Sequence, residues 1–284
     1  MLFYTKTLSL KKKAFLREKI SIFQAKGHRS PHLACIIVGT NKASQLYVGM
    51  KRKECLAIGM TTSLESFPEQ ASTQDILACV SKLNANPNID GILVQLPLPA
   101  QIARDQILEH IAPDKDIDGL TPINQGLLVL GRPLFIPCTP KGILAILEEL
   151  GTEIAGKKAC VIGRSFLVGS PVASLLCQKN ATVTTVHSQT TNPKEITSKA
   201  DILIIAAGHA KLVDKSWVKK GAIVIDVGIH HQNGRVVGDS NQEDLIGHAK
   251  ILTPVPGGVG PMTIASLLEN CFLAYERRLA TSAT

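Results

Sequence analysis

The chain has 284 residues, of which 45% are hydrophobic and 19% are charged, so it can bury ordinary globular cores and is not expected to be disordered. Its 31 Lys and Arg residues exceed its 23 Asp and Glu residues, and the resulting net charge of +8 suits anionic ligands without identifying one. The seven cysteines are an odd number without a CxxC pair, which argues against a disulfide framework or a zinc cluster.

The first half of the chain alternates apolar runs with helix-like segments. The run "LACIIVG" predicts a strand, residues 43–59 a helix, "MTTSLESF" a weak strand, residues 72–85 a second helix, and "IDGILVQLPL" a third strand. This βαβαβ order is typical of a parallel sheet in an α/β protein.

A helix is predicted to join the two halves, because "PKGILAILEEL" has proline in its first turn and Gly151 after its end. The second half then repeats the alternation, with a helix from about Ser170 and strands at the following runs: "KKACVIG", "ATVTTVH", "ADILIIAAG" and "GAIVIDVG". Strands that are apolar throughout belong to a parallel sheet covered on both faces. After Pro261 the pattern is again helical.

The segment "VIGRSFLVGSP" predicts a dinucleotide-binding turn, because Gly163 ends a strand and Gly169 opens a helix. Ser165 stands where the second glycine of GxGxxG would be. Glycines admit the backbone to a pyrophosphate, and the helix N-terminus offers free N–H groups to it. The competing interpretation is a tight turn without a ligand.

The residues near this turn favour NADP over NAD. No acidic residue occurs between Glu153 and Glu195 to bind the ribose hydroxyls of NAD, whereas Arg164 and Ser188 can bind a ribose phosphate, with His187 a weaker candidate. The alternative is that both are ordinary exposed residues. Farther along, Gly228 and Ile229 could border the nicotinamide, while Asp226 could instead cap a loop.

Four features of the first half and the C-terminal loop suggest a substrate site. Tyr47 and Lys51 are four residues apart and share a helix face, and Gln95 ends a strand before two prolines. An acidic cluster, Asp114, Asp116 and Asp118, precedes a glycine, and "TPVPGGVGPMT" is a stiff loop against which a flat ring could lie. Taken singly, each has an ordinary explanation as a solvated lysine, a turn or a connector.

Together these segments resemble a known family. The stretches "YVGMKRK", "GILVQLPLP", "PDKDIDGLTPINQG", "FIPCTPKG", "VIGRSFLVGSP" and "TPVPGGVGPMT" are similar, in order, to the signatures of the bifunctional methylenetetrahydrofolate dehydrogenase/methenyltetrahydrofolate cyclohydrolase family. The similarity runs from about residue 31 to 275. The first thirty residues match only loosely, and "GDSNQED" departs from the usual pattern.

The resemblance implies a two-lobed α/β enzyme with its active site in the cleft between the lobes. Residues 1–139 plus 262–284 would form the catalytic, folate-binding domain, and residues 140–261 a Rossmann-like NADP-binding domain. Hydride would pass from 5,10-methylenetetrahydrofolate to NADP, and water would open the methenyl product to 10-formyltetrahydrofolate. The resemblance further implies a homodimer acting on a small-molecule folate.

The resemblance also implies residue roles. Lys51 matches the catalytic lysine, Tyr47 the ring-stacking tyrosine, Gln95 the partner of the lysine, and Asp118 the pterin-binding carboxylate. Asp116 is the competing choice for the last role. Further substrate contacts are implied for Val94, Leu96, Pro256, Gly257, Gly258, Val259 and Gly260. Cofactor contacts are expected from Gly163, Arg164, Ser165, Gly169, Ser188 and Ile229, and no metal is expected.

Two other functions fit these residues less well. A folate dehydrogenase without cyclohydrolase activity is disfavoured by the intact Tyr47, Lys51 and Gln95. A basic nucleic-acid-binding protein is disfavoured because the positive charge is scattered and aromatic residues make up only 4% of the chain. Without a signal peptide or an apolar run long enough to span a bilayer, we expect a soluble cytoplasmic protein with no nucleic-acid or membrane partner.

Overall fold

The computed structural model describes residues 1–282, and the chain divides into two compact units. The five-stranded unit contains Met1–Leu10 and Thr139–Thr263, and the three-stranded unit contains Lys11–Cys138 and the chain from Ile264 onward. Residues 1–10 were predicted to belong with the first half of the chain. They cluster instead with the five-stranded unit, because Leu2 forms a parallel bridge with Leu252.

The three-stranded unit is built on the predicted βαβαβ segment. Its strands β1 His32–Val38, β2 Thr61–Phe67 and β3 Gly91–Val94 form a parallel sheet in the order β2-β1-β3. Its helices are α2 Lys42–Ala57, α3 Thr73–Ala85, α4 Arg104–His110 and α5 Pro122–Val129. Two further helices, α1 Lys6–Ala25 and α10 Val259–Ser282, run through the unit boundaries.

The five-stranded unit has the predicted Rossmann-like alternation. Its parallel strands are β4 Lys158–Ile162, β5 Thr182–Val186, β6 Ile202–Ile205, β7 Ile223–Asp226 and β10 Ile251–Leu252, in the order β10-β7-β6-β4-β5. Its helices are α6 Cys138–Glu149, α7 Gly169–Gln178, α8 Pro193–Thr197 and α9 Gln242–Leu245. An antiparallel hairpin, β8 His230–Gln232 and β9 Arg235–Val237, was not predicted. The α/β fold class is confirmed.

Burial follows the apolar runs. Every residue of β3 and β6 is buried, and β1 is buried except for His32 at its start. The edge strand β2 alternates exposed and half-buried residues, which explains its weak sequence signal. Five cysteines are buried as expected, but Cys177 is exposed and Cys79 is half-buried.

Residues 1–282 contain neither a candidate membrane-spanning helix nor a candidate metal site. No helix there is both long enough and apolar enough to cross a membrane. No group of three or more His, Cys, Asp or Glu side chains is arranged to hold a metal ion.

One lysine is buried as part of the architecture of the three-stranded unit. The Lys115 side chain is 2% exposed, and its Nζ donates to the carbonyl oxygens of Leu83, Asn84 and Asn86 at 2.8, 2.7 and 2.7 Å. These carbonyls lie at the C-terminal end of α3, where the helix dipole attracts a cation. Burial lowers the pKa of Lys115 to about 8, which leaves the ammonium form predominant at neutral pH.

We predict that Lys115→Met lowers the free energy of unfolding by about 3 kcal/mol, because three carbonyls at the helix end lose a charged donor. Chemical denaturation at pH 7 measures the change. Lys82→Met is the matched control, since Lys82 is an exposed lysine on helix α3, the helix whose end Lys115 caps. This control should change the free energy of unfolding by no more than about 0.5 kcal/mol. Equal unfolding free energies for the two variants would contradict the capping role.

Candidate active site

The carboxyl ends of β1 and β3 bring two predicted site residues to one edge of the three-stranded sheet. Gln95 follows β3, and its backbone N–H donates to the carbonyl oxygen of Ile36 at 2.9 Å. Asp116 forms a parallel bridge with Ile92 of β3, and Asp118 lies in the turn that follows, where the Gly119 N–H donates to the Asp116 carbonyl oxygen at 3.0 Å. Gln95 and Asp118 thus both come from segments that follow residues of this sheet, although 23 residues separate them in sequence.

Helix α2 places Lys51 against Gln95. The helix begins after Asn41, whose side chain accepts a hydrogen bond from the Ser44 N–H at 3.0 Å. Lys51 Nζ donates to Gln95 Oε1 at 3.1 Å, and Gln95 Nε2 donates to the Leu96 carbonyl at 2.6 Å. The second bond fixes the orientation of the amide, so its oxygen faces the lysine.

Tyr47 lies one helical turn before Lys51 and is also half-buried. Burial raises the pKa of its phenol, which keeps the hydroxyl protonated at neutral pH. Within residues 1–282 the phenol oxygen has no hydrogen-bond partner, so its ring and hydroxyl are available to a ligand. Lys53 is exposed, whereas Arg52 is half-buried and its Nε is enclosed without a partner in the described chain.

A buried thiol lies near both charged site residues. Burial raises the pKa of Cys35 in β1 to about 11, while the nearby Lys51 cation opposes and the Asp118 carboxylate reinforces that change. Lys51 and Asp118 therefore both lie within electrostatic reach of the Cys35 thiol. Of the predicted residues, Lys51 and Gln95 are in direct contact, Asp118 shares the surroundings of Cys35 with Lys51, and Tyr47 lies one helical turn from Lys51.

The acidic cluster separates into three environments. Asp114 is exposed and accepts from Arg278 at 3.0 Å. Asp116 is 1% exposed and accepts from the Leu120 N–H at 3.1 Å, and from the Thr121 N–H and Asn124 Nδ2 at 2.8 Å each.

Asp118 differs from both neighbours. It is half-buried, and its carboxylate has no hydrogen bond or ion pair within residues 1–282. Asp116 therefore organises the loop before α5, because its oxygens are already occupied by protein donors. The carboxylate of Asp118 is the one left available to a ligand.

In the five-stranded unit, two glycines form the tight turn after β4. Gly163 has φ +110°, and a Cβ there would lie 2.1 Å from the Ala206 carbonyl oxygen. A Cβ on Gly169 would lie 2.3 Å from the Gly163 carbonyl oxygen. Neither position can hold a larger residue without displacing backbone, so the two glycines allow the close strand–helix packing that is typical of a dinucleotide-binding turn.

Arg164 and Ser188 lie at the same edge of this sheet. Ile162 of β4 pairs with Val186 of β5 in parallel register, and Arg164 and Ser188 each follow the carboxyl end of one of these neighbouring strands by two residues. Both side chains are exposed, as is Ser165, whose Oγ accepts from the Val168 N–H at 3.3 Å. His187 is half-buried, and its Nδ1 accepts from the Gln189 N–H at 3.2 Å.

The loop after β7 contains a network that the sequence did not indicate. Asp226 is 1% exposed and accepts from the Gly228 N–H at 2.9 Å and from Asp239 and Ser240 N–H groups at 3.0 and 2.8 Å. Asp226 therefore caps this loop, which was the alternative that the sequence left open for it. Ile229, which follows this cap, is 45% exposed.

A second buried carboxylate continues the network. Asp239 accepts from the Ala207 and Gly208 N–H groups at 2.7 and 2.9 Å, and its other oxygen lies 2.7 Å from His230 Nε2. Asp239 therefore joins the loop after β6 to the β8–β9 hairpin. A clue was available in "QNGR", because Asn-Gly between short polar strands predicts a hairpin turn.

The glycine loop, Pro256–Gly260, also belongs to the five-stranded unit. Gly257 has φ +102°, and a Cβ on Gly258 would lie 2.5 Å from the Pro254 carbonyl oxygen. Pro256 and Gly260 are exposed, while Val259 is buried. Val94, in the other unit, is also buried. Any ligand contact of Val94 or Val259 would therefore be made by main-chain atoms.

Comparison with known proteins identifies the family. Residues 4–118 match the family model for the catalytic domain of tetrahydrofolate dehydrogenase/cyclohydrolase, and residues 137–279 match the model for its NAD(P)-binding domain. The bifunctional protein FolD of Streptococcus gordonii is 46% identical over 275 residues, which cover 96% of this chain and 97% of that protein. The chain belongs to the tetrahydrofolate dehydrogenase/cyclohydrolase family. The resemblance predicted from the six motifs is confirmed.

Solved structures of the tetrahydrofolate dehydrogenase/cyclohydrolase family share the fold. The bifunctional enzyme FolD of Campylobacter jejuni has a TM-score of 0.94 at 43% identity, covering 98% of this chain and 99% of that one. The Trypanosoma brucei enzyme, solved with NADP cofactor and an inhibitor, has a TM-score of 0.94 at 36% identity and covers 98% of both chains. At 19% identity, the NAD-dependent dehydrogenase of Saccharomyces cerevisiae, with a TM-score of 0.83, shares the fold alone.

The two carboxylates that compete for the pterin-binding role should respond differently to substitution. We expect Asp116→Ala to lower the free energy of unfolding by about 2 to 4 kcal/mol, because it leaves three buried donors without an acceptor. Asp118→Ala should change that free energy by less than about 0.5 kcal/mol. Urea denaturation of both variants checks this, and a loss for Asp118→Ala as large as for Asp116→Ala would show that Asp118 is structural too.

Proposed function

We propose that this protein oxidises 5,10-methylenetetrahydrofolate to 5,10-methenyltetrahydrofolate with NADP and hydrolyses that product to 10-formyltetrahydrofolate. Lys51 is the general acid/base of the hydrolysis. The observation that carries the proposal is the hydrogen bond from Lys51 Nζ to Gln95 Oε1. The Asp118 carboxylate, which has no hydrogen-bond or ion-pair partner within residues 1–282, lies like Lys51 within electrostatic reach of Cys35. Family membership supports both activities.

The five-stranded unit fits NADP. Gly163 and Gly169 permit the tight turn between β4 and α7, and the N-terminus of α7 offers free N–H groups to a pyrophosphate. Arg164 and Ser188 offer a guanidinium and a hydroxyl to a ribose phosphate, and no carboxylate nearby in sequence would repel it. The exposed Ile229 is proposed to border the nicotinamide, with Ser165 a further contact.

The oxidation requires positioning and no protein base. The bridge carbon loses hydride directly, and the positive charge that results spreads over the two nitrogens that flank it. When bound, NADP supplies the hydride acceptor. The protein must hold the bridge carbon of the folate about 3 to 3.5 Å from the hydride acceptor with the orbitals aligned, since such alignment can supply a large part of the rate acceleration. Tyr47 is proposed to stack on the folate ring for this purpose.

The hydrolysis requires proton transfer. A neutral Lys51 amine takes one proton from water as the oxygen bonds to the methenyl carbon. The ammonium gives that proton to the departing nitrogen as the C–N bond breaks, and the remaining hydroxyl proton leaves to solvent as the formyl C=O forms. The cationic substrate disfavours a second positive charge beside it and so favours the neutral amine. Gln95 orients the amine without charge, whereas a carboxylate in its place would stabilise the ammonium form.

Asp118 is proposed to bind the pterin ring. A carboxylate accepts hydrogen bonds only, and its two oxygens match the adjacent N–H donors of an aminopyrimidinone. Its lack of a protein partner in the described chain leaves both oxygens for that purpose. Leu96 and the glycine loop are proposed as further folate contacts. The three-stranded unit would thus be the catalytic domain and the five-stranded unit the NADP-binding domain, in a protein that acts as a homodimer.

Lys51→Met is expected to abolish hydrolysis while NADP binding persists. Removing the amine takes away general acid/base catalysis, which corresponds to a loss of about 10²- to 10⁴-fold. The measurement follows the decay of methenyltetrahydrofolate absorbance, with NADP binding titrated separately. Lys53→Met is the matched control, because Lys53 is exposed two residues away on the same helix, and it should hydrolyse at the wild-type rate.

The unmodified protein sets the baseline for this comparison. It should reduce NADP with methylenetetrahydrofolate, and it should do so faster than it reduces NAD. Absence of turnover with both cofactors would refute the proposed function. Wild-type hydrolysis by the Lys51→Met variant would instead refute the role of Lys51 alone.

A further inference from the structure

The N-terminal segment runs along the edge of the five-stranded sheet toward the glycine loop. The Met1 amino group donates to the Lys250 carbonyl at 2.9 Å, and the Phe3 N–H donates to the Leu252 carbonyl at 2.9 Å. Leu252 N–H donates back to the Met1 carbonyl at 3.0 Å. These bonds add a short parallel segment to the sheet beside β10. The next two residues, Tyr4 and Thr5, therefore lie against the glycine loop.

Thr5 holds two consecutive carbonyls of the loop. Its backbone N–H donates to the Gly257 carbonyl at 3.0 Å, and its Oγ1 donates to the Gly258 carbonyl. The residue is completely buried. Two glycines have little conformational restriction of their own, so these two bonds contribute directly to holding the loop in one conformation. Ser9 adds a third bond, from its Oγ to the Pro261 carbonyl at 3.1 Å.

Tyr4 places an aromatic ring on the same loop. A Cβ added to Gly257 would lie 3.0 Å from Tyr4 Cδ1 and 3.4 Å from Cε1, so the ring packs directly on the glycine backbone. The Tyr4 residue is nevertheless 59% exposed, and no hydrogen bond within residues 1–282 occupies its hydroxyl. An exposed ring beside a loop that lacks side chains offers a flat apolar surface to a ligand.

We propose that Tyr4 and Thr5 form an N-terminal clamp that determines folate affinity. Thr5 is a positioning residue, since it acts by holding Gly257 and Gly258. Tyr4 is a substrate contact that adds its ring to the surface of the loop and receives an aromatic ring of the folate. The proposal rests on the proposed function, in which the glycine loop contacts the folate.

The role of Thr5 is tested by steady-state kinetics with methylenetetrahydrofolate and NADP varied in turn. Thr5→Val keeps the shape of the side chain but removes the hydroxyl, and it should raise KM for the folate about 5- to 10-fold without changing KM for NADP. Thr5→Ser retains the hydroxyl and should restore the folate KM to within about two-fold of wild type.

Thr197→Val is the matched control for loss of a buried threonine hydroxyl. Thr197 is also completely buried in the five-stranded unit, and its Oγ1 donates to the Lys194 carbonyl at 3.4 Å, away from the glycine loop. Its folate KM should equal that of wild type, and its melting temperature shows what the lost hydroxyl alone does to stability. An unchanged folate KM in an active Thr5→Val enzyme, or the same rise in Thr197→Val, would overturn the positioning role.

The role of Tyr4 is tested in the same assay. Tyr4→Ala should raise the folate KM about 3- to 10-fold, and Tyr4→Phe, which retains the ring, should remain near wild type. A folate KM in Tyr4→Ala equal to that of wild type would overturn the substrate contact. Failure of the clamp is distinguishable from failure of the proposed function, because in the second case the wild-type protein itself would not turn over methylenetetrahydrofolate.

Discussion

The hydrogen bond between Lys51 and Gln95 is the interaction on which the proposed chemistry depends. Lysine ammonium groups usually lie in water or pair with a carboxylate, and either environment favours the charged form. Here the described partner of Nζ is a neutral amide, and that amide is itself held by the Leu96 carbonyl. The arrangement fixes the position of the amine while leaving its charge to be set by the substrate.

The sheets supply this geometry because parallel strands end at a common edge. Gln95 follows β3, Asp118 follows the segment that bridges to β3, and Lys51 comes from the helix that follows β1. In the five-stranded unit the same rule brings Gly163 and Ser188 to neighbouring strand ends. Buried carboxylates then shape the loops beyond these ends. Asp116 and Asp226 each accept several hydrogen bonds from protein donors, which holds each of their own loops in place.

Much of this could be predicted from local sequence. Apolar runs gave the strands of both sheets, and glycine spacing gave the turn at Gly163, because these features depend on a few neighbouring residues. The choice between Asp116 and Asp118 could not be made from the residues themselves. It depends on which carboxylate meets Leu120, Thr121 and Asn124 in the folded loop, and only family register distinguished the two in sequence.

The sequence analysis predicted neither helix α1 nor the contacts of Thr5 in the N-terminal region, and the two omissions have different causes. Helix α1 did have a periodic signal, since Leu8, Leu16 and Ile20 are buried at intervals of eight and four residues. The contacts of Thr5 had none, because its partner Gly258 is 253 residues away. Such a contact follows from the path of the whole chain, and no local pattern encodes it.

The most direct measurement of the central claim uses Gln95→Glu. A carboxylate at this position would hold Lys51 as ammonium, so hydrolysis of methenyltetrahydrofolate at pH 7 should fall by about 100-fold or more while NADP-dependent oxidation of methylenetetrahydrofolate continues. Wild-type hydrolysis at pH 7 by this variant would contradict the account, since a neutral partner for Lys51 would then be unnecessary.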